Sequence, residues 1–144
     1  MKLQSKMELL GRYGCLLMSY AYAAYMNEAS KEEIDSGFLE TAVASIALLC
    51  LDDESIIGPE CYVKDAQTLL NKISPNGKKY KVTKKDITSF KDLPLTGFAV
   101  VRFDYNGNSH FVLAKDQAIV YDGLDDSKCR KLGKPTTARI IEEA

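Results

Sequence analysis

Residues 14–26, Gly-Cys-Leu-Leu-Met-Ser-Tyr-Ala-Tyr-Ala-Ala-Tyr-Met, contain no charged side chain. Read as a helix, the stretch is apolar or aromatic all the way round, which is the mark of a helix buried on every side. A fold containing such a helix has to be built around it. The helix opens on Gly14 and Cys15, so the Cys15 thiol falls in the first turn. There the positive end of the helix dipole and the backbone N–H groups favour a thiolate. The ordinary alternative is that Cys15 is a small buried hydrophobe, as most free cysteines are.

With 144 residues, the chain is expected to form one domain, 1–144, with a core of useful size. Nineteen Lys and Arg against twenty Asp and Glu leave a formal net charge of −1. No global field then draws the protein to nucleic acid, which is not expected as a partner. The lysines at 78, 79, 81, 84 and 85 are read as a solvated strand edge rather than a phosphate-binding stripe. The first ten residues lack the apolar core and cleavage site of a signal peptide. The nearly uncharged stretch 11–26 is interrupted by Arg12 and is too short for a membrane span. The expectation is a cytoplasmic protein with no membrane span. Cys15, Cys50, Cys61 and Cys129 show no CxxC spacing and no neighbouring histidine. They are expected to remain thiols, with no metal and no cofactor.

Helical signals fill the first half of the chain. Residues 1–13 read as an amphipathic lead-in broken by Gly11 and Gly14. Ser30 and Glu33 have the spacing of a capping box, opening a second helix that restarts near Ser36 and Gly37 and runs to Cys50, which is taken as core. Cys61, Tyr62 and Val63 read as a short extended piece, after which Asp65 caps a third helix, Ala66–Ile73. Beyond the turn at 74–77 the period changes. Strands are expected at 80–83, 98–105, 109–114 and 118–122, with an Asn-Gly hairpin turn at 106–108. Residues 123–135 read as a polar loop holding Asp125, Asp126 and Cys129, and 137–141 closes the sheet. Helices followed by an antiparallel meander give an α+β fold in two packed layers.

His110 is the only histidine, so any Cys/His chemistry has to use it. It lies at the start of a strand, where a side chain can face a groove at the sheet's end, although a lone strand histidine is more often structural. A hairpin centred on Asp116 places His110 opposite Asp122, close enough for the carboxylate to fix the imidazole tautomer. A slip of one residue would put Gly123 there instead. Nucleophile at a helix start, base on a strand and carboxylate on the next strand is the layout of Cys-His-Asp catalysis. Three rival assignments stay open: Cys129, flanked by Lys128, Arg130 and Lys131; Cys61; and Asp125 or Asp126 in place of Asp122.

Gly14-Cys15-x-x-x-Ser19, the strand 97–102, Ser109-His110-Phe111-Val112-Leu113-Ala114 and Ile119-Val120-Tyr121-Asp122-Gly123 together resemble the papain-like cysteine peptidases. The similarity is greatest to the bacterial peptidases that cut bacteriocin leaders and to small papain-like proteins of bacterial plasmids and phages. The resemblance implies a papain-like fold and acyl transfer on a peptide or protein substrate. Cys15 would be the nucleophile, His110 the general base and then acid, and Asp122 the orienting residue. The Cys15 backbone N–H would be one oxyanion donor. The family usually carries a glutamine a few residues before the cysteine as the second donor. The nearest here is Gln4, so either Gln4 reaches back through an irregular lead-in, another donor serves, or the hole is incomplete. Two further readings share the fold: a catalytically weak or inactive binding module, and a peptidoglycan amidase, endopeptidase or transamidase with the same triad.

Overall fold

Helices come first and a sheet follows in the computed structural model, which describes residues 1–144. The helices are α1 (Leu3–Tyr13), α2 (Cys15–Met26), α3 (Lys31–Asp35), α4 (Phe38–Cys50), α5 (Ala66–Ile73) and α6 (Lys128–Leu132). The strands are β1 (Tyr80–Asp86), β2 (Phe98–Tyr105), β3 (Asn108–Lys115), β4 (Ala118–Tyr121) and β5 (Lys134–Glu143). This is an α+β fold with a five-stranded antiparallel sheet. The chain divides into two compact units, Met1–Lys79 and Tyr80–Ala144. No helix is long and apolar enough to cross a membrane.

In the first unit, α2 is the buried stretch, with every residue from Leu16 to Ala24 out of solvent. It packs on α4 and α5, and the Tyr25 hydroxyl donates to the Ile73 carbonyl at 2.5 Å. The lead-in differs from the expected broken segment, because Gly11 lies inside α1 and only Gly14 separates α1 from α2. One helical glycine costs about 1 kcal/mol, and α1 continues through it. The capping box forms: Ser30 Oγ accepts from the Glu33 N–H at 3.1 Å and Glu33 Oε1 from the Ser30 N–H at 3.0 Å. Gly37, at φ +79°, makes the left-handed corner between α3 and α4. Asp65 caps α5, its Oδ1 accepting from the Thr68 N–H at 3.0 Å. The piece expected to be extended at 61–63 begins instead in a 3₁₀ turn, Pro59–Cys61, and only Val63 bridges to a strand partner, Ile57.

Asp53 ties the end of the α4 region to α5. Lys72 Nζ donates to Asp53 Oδ2 at 2.8 Å, and the Ser55 hydroxyl and N–H both donate to Oδ1. The Lys72 bond first and the Ser55 bond second hold the Asp53 carboxyl down at about 2, against an ordinary 3.8. A depressed folded-state value adds stability above the unfolded value, and that gain fades as pH falls from about 4 to about 2. In urea titrations, Asp53→Asn is therefore expected to be weaker than wild type at pH 6 and to converge with it near pH 2. A constant gap across that range would refute the assignment.

The sheet order is β1-β5-β2-β3-β4, so the expected meander holds only for β2, β3 and β4. The last strand does not close an edge. It lies between β1 and β2, pairing Val82 with Ile141 on one side and Ala99 with Ile140 on the other. β1, which carries Lys81, Lys84 and Lys85, is left as an edge strand. A core cluster takes Ala99, Val101 and Phe103 from β2, Val112 and Ala114 from β3, and Ala138 and Ile140 from β5. The region expected to be a polar loop contains α6, capped by Ser127 Oγ accepting from the Arg130 N–H at 3.3 Å. Cys129 on α6 packs against that cluster.

Candidate functional site

Two short-range signals mark the candidate residues, a cysteine at a helix start in the first unit and a histidine beside a hairpin in the second. Cys15 is the first residue of α2 and is partly exposed. Its carbonyl accepts from the buried Ser19 hydroxyl at 2.7 Å, one turn on, which ties down the first turn. Gly14 is required here for space: a Cβ would sit 2.2 Å from the Leu10 carbonyl oxygen and 2.7 Å from Leu10 Cδ1. Any larger residue would reopen the corner that delivers Cys15. Cys50 and Cys61 are less suited to ionise. Burial first of all pushes both up; at Cys50 Lys72 works against the rise and Asp53 with it, and at Cys61 the neighbouring Cys15 adds to it.

Gln4 stands in the first turn of α1 and is exposed. Because the lead-in is a helix and not an irregular segment, Gln4 stands nine positions, about 13 Å of rise, from Tyr13 at the other end.

His110 sits on β3 opposite Phe103 of β2 and is only 3% exposed. The turn preceding β3 has Asn106 at φ +48° and Gly107 at φ +79°, the left-handed pair that a two-residue hairpin turn needs. Asp104, close by, braces this end of the hairpin. Its Oδ1 accepts from Arg102 Nε at 3.0 Å and the Ser109 hydroxyl at 2.6 Å, and its Oδ2 from the Thr136 hydroxyl at 2.6 Å. Burial pulls the Asp104 carboxyl up, but these donors outweigh it and leave it lowered.

His110 Nε2 and Asp122 Oδ1 are 2.7 Å apart, so the structure brings together two of the three residues expected to act in sequence. They meet by a different register from the one expected. A turn centred on Asp116 would set Lys115 opposite Gln117. The β3–β4 turn is instead the pair Asp116 and Gln117, both left-handed, which sets Lys115 opposite Ala118. Asp116 Oδ1 accepts the Gly97 N–H at 2.8 Å and Gln117 Nε2 donates to the Leu93 carbonyl at 2.8 Å, clamping that turn. A bulge then moves the pairing by one more residue, so that Leu113 faces Tyr121. A slip of one residue turns a side chain to the other face of the sheet, and a second slip turns it back. Asp122 therefore regains the His110 face. β4 ends at Tyr121, and the Asp122 side chain crosses to the ring just past the strand end.

Asp122 has two other partners. Its Oδ1 also accepts the Leu124 N–H at 2.9 Å, and its Oδ2 lies 2.6 Å from Arg130 Nε. The Arg130 contact is an ion pair by distance, with the N–H not aimed along a hydrogen bond. Sequence reasoning does not single out Arg130 for this role, although Ser127 and Gly133 bracket a short helix with legible start and stop chemistry. Asp125 and Asp126 are exposed, and Asp126 pairs with Lys131, so neither takes the place of Asp122 beside the ring.

No family model, curated protein or solved structure matches this chain.

Chemically, a carboxylate on Nε2 selects the tautomer and orients the ring, leaving Nδ1 as the nitrogen for proton transfer. Separately, the first turn of a helix is a position that raises a thiol's reactivity as a nucleophile.

Proposed function

We propose that the protein is a papain-like cysteine hydrolase that cleaves a peptide or amide bond through Cys15, His110 and Asp122. The observation that carries the reading is the 2.7 Å contact between Nε2 of the sole, buried histidine and a carboxylate that holds its tautomer. In the reaction, His110 Nδ1 takes the thiol proton and Cys15 Sγ attacks the carbonyl carbon. The leaving amine then takes that proton, and water hydrolyses the thioester to the acid and the free thiol. The backbone N–H of Cys15 would stabilise the oxyanion.

Thiol alkylation tests this. At pH 6 an ordinary cysteine is under about 1% thiolate, so its reaction with iodoacetamide is slow. Cys15 is expected to label about tenfold or more faster than Cys50, Cys61 and Cys129 at that pH, and to lose the advantage in His110→Ala. Cys15 labelling no faster than buried Cys50, or with no dependence on His110, would overturn the reading.

A second reading, a catalytically weak binding module, draws on the place of Gln4 at the far end of α1. Loss of one oxyanion donor typically costs about 10²–10³ in rate. This reading predicts the same Cys15 labelling but no hydrolysis across a library of peptides and amides.

A further inference from the structure

We propose that Arg130 is a positioning residue for this site, holding Asp122 and through it the ring of His110, so that the acid–base pair is a chain of guanidinium, carboxylate and imidazole. The proposal rests on the hydrolase reading for its purpose, but the geometry that carries it lies wholly within the second unit.

A carboxylate fastened by one oxygen can rotate about its last torsion and exchange oxygens, tilting away from the ring plane. In Asp122, Oδ1 is shared by His110 Nε2 and the Leu124 N–H, while Oδ2 faces Arg130 Nε at 2.6 Å. Oδ1 is held by two hydrogen bonds and Oδ2 by the charge of the guanidinium, which disfavours the rotation. The Asp122 side chain is 12% exposed, and the facing Oδ2 and Nε atoms are shut off from water, so the contact is little screened.

Arg130 is itself held in place from three sides. Ser127 Oγ caps α6 by accepting the Arg130 N–H. The neighbouring Cys129 is packed into the core cluster, and its carbonyl accepts the Gly133 N–H at 2.9 Å. Gly133 lies so close to β2 that a Cβ there would be 2.3 Å from the Asp104 carbonyl oxygen.

An arginine also adds a charge that never titrates. Alone, Asp122 would favour the imidazolium strongly; with Arg130 beside it, part of that pull is cancelled. Of the other charged groups at this end, Arg102 pairs with Asp104 and Lys131 with Asp126. Arg130 thereby tempers the basicity of His110 as well as fixing its carboxylate.

The test uses the single histidine, whose imidazole nitrogens are unambiguous in a ¹⁵N-labelled sample. In the full-length protein, Arg130→Gln is expected to raise the His110 pKa by about one unit, and to weaken the downfield shift of the Nε2 proton. Arg130→Lys should restore most of the pKa but not the Nε2 proton shift, because a point cation lacks the planar guanidinium. Asp122→Asn should lower the pKa. If Arg130→Gln leaves the His110 pKa and Nε2 shift at their wild-type values, the proposal is wrong. Should Arg130→Gln not fold, Arg130→Lys decides, since an unchanged Nε2 proton shift there is equally fatal. The two ideas fail separately: slow Cys15 alkylation with a responsive His110 defeats the hydrolase reading alone, and fast alkylation with an unresponsive His110 defeats the role of Arg130 alone.

Discussion

Tyr20→Ala is expected to destabilise the helical unit by about 3–5 kcal/mol, the cost of deleting a large aromatic side chain from a packed interior. Tyr20 is 1% exposed and lies in the middle of α2, with Leu16, Leu17, Ala23 and Ala24 also buried around the same helix. Neighbours on every side leave little room to collapse into the space, which puts the cost at the upper part of that range. Far-UV circular dichroism should register a fall in melting temperature of about 10 °C or more. Tyr20→Phe, which keeps the ring volume, should recover most of it. A melting point within about 2 °C of wild type for Tyr20→Ala would mean that α2 is not the packed centre of its unit.

Gly133→Ala should act at the other end of the chain and on the site at once. The added Cβ would lie 2.3 Å from the Asp104 carbonyl oxygen and 2.4 Å from the Cys129 carbonyl oxygen. Neither backbone atom is the loose end of a side chain, so α6 has to move off β2. Forced overpacking of this kind costs about 1–3 kcal/mol, read as a lower melting temperature. The more informative signal is local. Because α6 carries Arg130, its retreat should lengthen the contact with Asp122 and shift the Arg130 Nε–H resonance. The same resonance should be undisturbed in Tyr20→Ala under conditions where that variant is folded. An Arg130 signal at its wild-type position in Gly133→Ala would show that α6 is not held by the close approach of Gly133 to β2.

How far the site can be read from the chain depends on how local each signal is. The capping pair Ser30 and Glu33, the Asp65 cap and the turn at Asn106 and Gly107 each act within four residues, and each forms where expected. Gly11 misleads for a related reason: glycine weakens a helix locally, and the balance is struck by the whole of α1. The place of β5 between β1 and β2 has no local signature, because strand order is chosen by pairings between distant segments. Arg130 is hidden by its surroundings. In the sequence it is one of several basic residues in a polar run, and only the docking of α6 turns it toward Asp122.

From the chain alone come the buried helix with Cys15 at its first residue and the restriction of any imidazole chemistry to His110. Those facts follow from composition and short-range periodicity. The chain also names Asp122 as the partner of His110, but by a register that does not occur. The actual route belongs to the folded molecule: a two-residue turn clamped by Asp116 and Gln117, then a bulge, two slips whose sum returns Asp122 to the histidine's face. Face is a matter of parity along a strand, and parity depends on every residue between turn and site, so no single motif could carry it.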